Sequence, residues 1–77
     1  MTNASEIIFI VEQDPEGGLT ARALGESIFT EADTFEELKS EIKNALRSHY
    51  ETEAEIPKIV RLHRVHDKIF SYVQGPP

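Results

Sequence analysis

No cysteine occurs among these 77 residues, so disulfide staples and thiolate metal sites are excluded and an intracellular setting fits. No apolar run approaches the roughly twenty residues that a membrane-spanning helix needs. The opening, Met1 to Glu6, lacks the basic-then-apolar order of a signal peptide, and a cytoplasmic location is expected. Bases are also scarce, eight Lys and Arg against fourteen Asp and Glu, for a net charge of -6. Such a surface repels phosphate backbones and favours a basic protein as partner, so direct nucleic-acid binding is not expected. There is no internal repeat and no low-complexity tract. The length suits a single domain, 1–77, near the lower limit for folding on a core of its own, with 1–5 and 74–77 expected to be loose.

What is present starts with Ile7-Ile8-Phe9-Ile10-Val11. β-Branched and aromatic residues suit a pleated backbone, and the run has no helical spacing, so it reads as a strand from about Glu6 to Gln13. Ile7, Phe9 and Val11 share one face and Ile8 and Ile10 the other. A strand apolar on both sides belongs in the middle of a sheet covered on both faces. Asp14-Pro15-Glu16-Gly17-Gly18 is a turn, since proline presets its start and glycine accepts positive φ. Leu19 to Leu24 and Ser27 to Thr30 read as second and third strands about a turn at Gly25-Glu26, completing an antiparallel meander.

The pattern then changes period. Thr34-Phe35-Glu36-Glu37 is a capping box, with Thr34 accepting from the Glu37 amide and Glu37 reaching back to the Thr34 amide. Phe35, Leu38, Ile42, Ala45, Leu46 and His49 follow at helical spacing, predicting a helix over about Phe35 to Glu51. An acidic, solvated stretch to Glu55 leads to Pro57 and a fourth strand from Lys58 to about Val65. Lys68 to Val73 suits a short C-terminal edge strand. A right-handed crossover through the helix sets the fourth strand parallel to the first. The expected fold is therefore α+β, a two-layer β-β-β-α-β unit with sheet order 3-2-1-4 and one helix on one face.

Candidate chemistry is thin. His63, His66 and Asp67 are ligand-capable, but residues three apart on a strand point to opposite faces, and tight sites need three or four converging ligands. The carboxylates are absorbed by the helix start, the turn and the acidic stretch. Ser27, Ser40, Ser48 and Ser71 lack a nucleophile-elbow setting, and Gly17-Gly18 opens no helix to cradle a phosphate. No catalysis, cofactor or metal is expected. Lys58, Arg61, Arg64 and Lys68 read as charges that guard an edge strand, with RNA or an acidic partner as the other reading.

Two blocks carry a family resemblance. Ile8 to Ala21 contains Glu12-Gln13-Asp14-Pro15-Glu16-Gly17-Gly18-Leu19-Thr20-Ala21 and resembles the first hairpin of HicB-like antitoxins. Thr30-Glu31-Ala32-Asp33-Thr34-Phe35-Glu36-Glu37-Leu38 resembles that family's entry into its helix. The two blocks lie in the family's order and fall within Glu6 to Tyr50. The resemblance implies a partial ribonuclease-H-like fold without a working nuclease site. It also implies a function, the neutralisation of a small basic HicA-type toxin that cleaves RNA. The chain departs from the family at Ala32, where glycine is usual, and in the shortened connection at Ile28-Phe29. The residues after the fourth strand are too few for the family's C-terminal DNA-binding module, so direct DNA binding is not expected.

A stand-alone homodimer without a toxin is the competing expectation. One helix covers only one face of the sheet; with Phe9 inward, Ile8 and Ile10 face outward, joined by Leu24 and Phe29 or their face-mates from the neighbouring strands. Ile8, Ile10, Phe29, Ile69, Phe70 and Tyr72 are the residues expected at a dimer or partner interface.

Overall fold

The computed structural model describes residues 6–65. The expectations for 1–5 and from His66 onward, including the edge strand at Lys68 to Val73 and the loose C-terminus, lie outside the described residues. The order of elements is β1 (Glu6–Gln13), β2 (Leu19–Ala23), β3 (Phe29–Ala32), α1 (Phe35–His49), a 3-10 turn (Glu53–Glu55) and β4 (Ile59–Val65). The fold is α+β, with one four-stranded sheet in the order β3-β2-β1-β4. β1 pairs antiparallel with β2 and parallel with β4, and β2 pairs antiparallel with β3.

β1 has the central place its composition predicts. Ile7, Phe9 and Val11 are buried toward the helix, while Ile8 and Ile10 are half-buried on the opposite face. The turn after β1 is closed by Asp14, whose side chain accepts the Glu16 N–H at 3.0 Å and whose carbonyl accepts the Gly17 N–H at 2.9 Å. β2 brings Leu19, Ala21 and Ala23 to the helix side, and the two alanines leave room for a close helix.

β3 lies two residues later than expected. Ile28 belongs to the connection but is buried, and its carbonyl accepts the Ala23 N–H at 3.0 Å. The strand continues through Glu31 and Ala32 because Thr20 and Leu19 lie opposite them in register. Available pairing partners override the weak strand preference of those two residues.

At the helix start, Thr34 Oγ1 accepts the Glu37 N–H at 3.1 Å, and the first turn carries Glu36 and Glu37 at the positive end of the helix dipole. The return bond of the capping box, from the Thr34 N–H to the Glu37 carboxylate, is not formed. Leu38, Ile42 and Leu46 are buried, with Phe35 and Ala45 packed against the core. Burying each such aliphatic side chain contributes on the order of 1.5–3 kcal/mol.

The helix stops at His49, two residues before the expected end, because Tyr50 turns to an extended conformation at φ -99 and ψ 148. His49 is exposed rather than part of the buried face, and its ring meets the Glu26 carboxylate instead. β4 likewise begins at Ile59 rather than Lys58. α1 lies nearest β3 and β2, and on β4 Leu62 packs against the core while Val60 stays 38% exposed.

Candidate functional site

Among the described residues, no element covers the face of the sheet opposite α1, and the strand registers fix what that face presents. Residues in cross-strand register share a face, which places Phe29, Arg22, Ile10 and His63 in one row across all four strands. The next row holds Leu24, Ile8 and Arg61, with Leu24 donating its backbone N–H to the Ile8 carbonyl at 2.9 Å. The row on the other side holds Glu31, Thr20, Glu12 and Val65. Phe29 is 61% exposed and Leu24 48%, while Ile8 and Ile10 are half-buried between their neighbours.

Of the expected interface residues, the structure thus brings Ile8, Ile10 and Phe29 onto one open face. Ile69, Phe70 and Tyr72 lie outside the described residues. Arg61 on β4 pairs with Glu6 on β1, anchoring the far corner of that face.

The opposite side carries the helix and a narrow gap beside it. A hollow of about 120 Å³ opens between α1 and β4, lined by Lys39, Ile42, Lys43, Val60 and Leu62. The Phe35 ring closes one end of the helix face, with Lys39 Nζ 5.5 Å and the Arg64 guanidinium carbon 5.2 Å from its centroid. These distances suit cation–π contact.

Charge is unevenly distributed between the two edges of the sheet. Lys58 to Val65, at the β4 edge, contains four of the basic or imidazole side chains and no acid. At the β3 edge stand Glu31 and Asp33, and Glu41 of α1 lines the same hollow as Phe29 and Glu31. A second hollow near the first turn is lined by Asp14, Glu31, Asp33, Glu37 and Glu41. This polarity was not legible in the sequence, where Glu41 reads only as a helix-start acid. The signal that reveals it is the register, which sets β3 and β4 at opposite edges.

The two histidines among the described residues lie apart. His63 lies on the open face, and His49 Nε2 meets Glu26 Oε1 at 2.9 Å. Among the described residues, no group of three or more His, Cys, Asp or Glu side chains is arranged to hold a metal ion. His66 and Asp67 lie outside them. The Tyr50 hydroxyl is held above its ordinary pKa, first by burial and then by the Glu26 and Glu55 carboxylates. Among the described residues, no helix is long and apolar enough to cross a membrane.

Two relatives match the chain over most of its length. A UPF0150 protein of Archaeoglobus fulgidus is 53% identical over 53 residues, covering 69% of this chain and 77% of the relative. A UPF0150 protein of Thermotoga maritima is 39% identical over 67 residues, covering 87% of this chain and 93% of the relative. No family model matches the chain, and no solved structure matches it.

Proposed function

This chain belongs to the family of UPF0150 proteins, and from that premise we propose that it is an antitoxin-like binding domain that masks a small basic HicA-type RNA-cleaving toxin. It acts by covering its partner, without catalysis and without a cofactor. The observation that carries the reading is the open sheet face. Phe29 and Leu24 stand exposed there beside Ile8 and Ile10, on a chain with a net charge of -6. Aromatic and aliphatic anchors inside a charged rim are the composition of a protein-binding patch. The excess acid selects a basic partner and speeds its approach. The motif resemblance at Glu12 to Ala21 and Thr30 to Leu38 supports a HicA-type toxin as that partner.

Co-expression with a small basic protein encoded next to this one, followed by pull-down and an RNA-cleavage assay, tests the proposal. The toxin should co-purify and its cleavage should be suppressed. A co-expressed neighbour that neither binds nor is inhibited defeats the reading.

A second reading, a homodimer without a toxin, is favoured by the same face, because soluble monomers rarely leave a large contiguous apolar patch uncovered. A second copy laid on it would bury Ile8, Ile10 and Phe29 about a two-fold axis. Sedimentation distinguishes the two: a monomer of 8.7 kDa at micromolar concentration removes the homodimer. A dimer that Ile10→Glu dissociates supports it.

A further inference from the structure

Among the described residues, β3 has a neighbour on one side only, and its outward backbone groups can be identified. In an antiparallel pair, residues alternate between facing the partner strand and facing away. The Ala23 N–H donates to the Ile28 carbonyl, which sets the phase. Thr30 and Ala32 therefore turn their backbone groups toward β2. Phe29 and Glu31 turn theirs outward, offering two N–H donors and two carbonyl acceptors. Phe29 projects its side chain beside them on the open face, and on the helix side a hollow of about 440 Å³ is lined by Thr30, Glu31, Glu41 and Ala45. The Thr30 hydroxyl oxygen is buried and finds no hydrogen-bond partner among the described residues.

The geometry points to the β3 edge as a docking strand for a basic, extended segment of a protein partner. The segment adds to the sheet by bonding the backbone of Phe29 and Glu31, a recognised mode of peptide capture. Its cationic side chains meet Glu31 and Glu41, and an apolar side chain rests on Phe29. This deepens, and rests on, the reading of the chain as a binder of a basic partner. Charge decides which edge is used. The β4 edge carries Arg64 beside the Glu6-paired Arg61, with Lys39 and Lys43 on the helix wall nearby, and repels such a segment. Charge also decides against a second copy of β3, because in two-fold pairing of that short strand Glu31 falls opposite its own image or one diagonal step from it on the same face.

A synthetic decapeptide with valine at every fourth position and arginine elsewhere is the probe, since Phe29 and Glu31 share a face and call for a valine and an arginine two residues apart on the added strand. The same peptide with glutamate for arginine is the control, and amide hydrogen exchange of the full chain is the readout. In the free protein Thr30 and Ala32 should already be protected and Phe29 and Glu31 should not. The basic peptide should slow exchange at Phe29 and Glu31 by about tenfold or more, and the acidic one should leave it unchanged. Phe29→Ser, which alters no charge at an exposed position, and Glu31→Lys should each weaken binding by about tenfold. Protection that develops on β4 instead overturns the inference. So does unchanged affinity in Glu31→Lys, or protection of Phe29 and Glu31 in the free chain, the mark of a second copy on the edge. Co-purification with a basic toxin while those two amides stay unprotected in the complex removes the edge and leaves the proposed function standing. Peptide binding at the edge with no toxin partner keeps the edge and removes that function.

Discussion

His49 Nε2 lies 2.9 Å from Glu26 Oε1, tying the last residue of α1 to the connection between β2 and β3, 23 positions earlier in the chain. Both side chains keep much of their surface in water, at 32% and 41% exposure. Water and salt screen such a contact, so Glu26→Gln should lower stability by less than about 1 kcal/mol. Urea melts measure this directly. A larger loss would mean that the pair, rather than Leu46, docks the end of the helix.

Gly18 is bound to its position more tightly than Gly17. Both have positive φ, 86° and 110°, but a Cβ on Gly18 would stand 3.0 Å from the Ala32 carbonyl oxygen, whereas one on Gly17 meets nothing within 4 Å. The left-handed conformation alone costs an alanine roughly 1–2 kcal/mol. Gly18→Ala adds a collision with backbone that β3 pairing holds in place. Thermal melts of the two variants should rank Gly18→Ala as clearly the less stable, and equal midpoints would contradict the close approach.

The helix depends on its buried face more than on its cap. Thr34→Ala removes one hydrogen bond to an exposed N–H and should cost about 1 kcal/mol. Leu38→Ala empties a site with no exposure at all and should cost roughly 2–5 kcal/mol. Denaturant titration of both variants checks the order. A Leu38→Ala chain within a few tenths of a kcal/mol of the parent would refute the packing of α1 on the sheet.

Tyr50 should make stability fall in alkali. Burial, followed by the Glu26 and Glu55 carboxylates, raises its hydroxyl above the ordinary value of 10.0 in the folded chain. The folded state therefore holds this proton more tightly than the unfolded state does. The resulting stability is whole below the unfolded value and is lost as pH rises through the folded one. The sequence holds two tyrosines, so Tyr72→Phe leaves Tyr50 as the single phenol. Phenolate absorbance of that variant should titrate with a midpoint above 10.0, and a midpoint at or below it would show the hydroxyl free in solvent.

The local rules that act within a few residues were legible in the chain itself. The β-branched run placed β1 at Glu6–Gln13 and in the centre of the sheet, and the Thr34 cap with apolar spacing placed the start of α1 and its buried Leu38, Ile42 and Leu46. The crossover rule then gave the order 3-2-1-4, because handedness leaves a chain this short few alternatives. Tertiary pairing decided the rest. Glu31 and Ala32 are strand only because β2 lies opposite them, and Ile28 is core despite lying in a connection. His49 has a helix-face position in the sequence but meets Glu26, which the connection between β2 and β3 brings to the end of the helix. The polarity of the edges, acidic at β3 and basic at β4, needed the register as well. A side chain's sign is written in the sequence, but which charges stand together is set by which strands lie at opposite sides of the sheet.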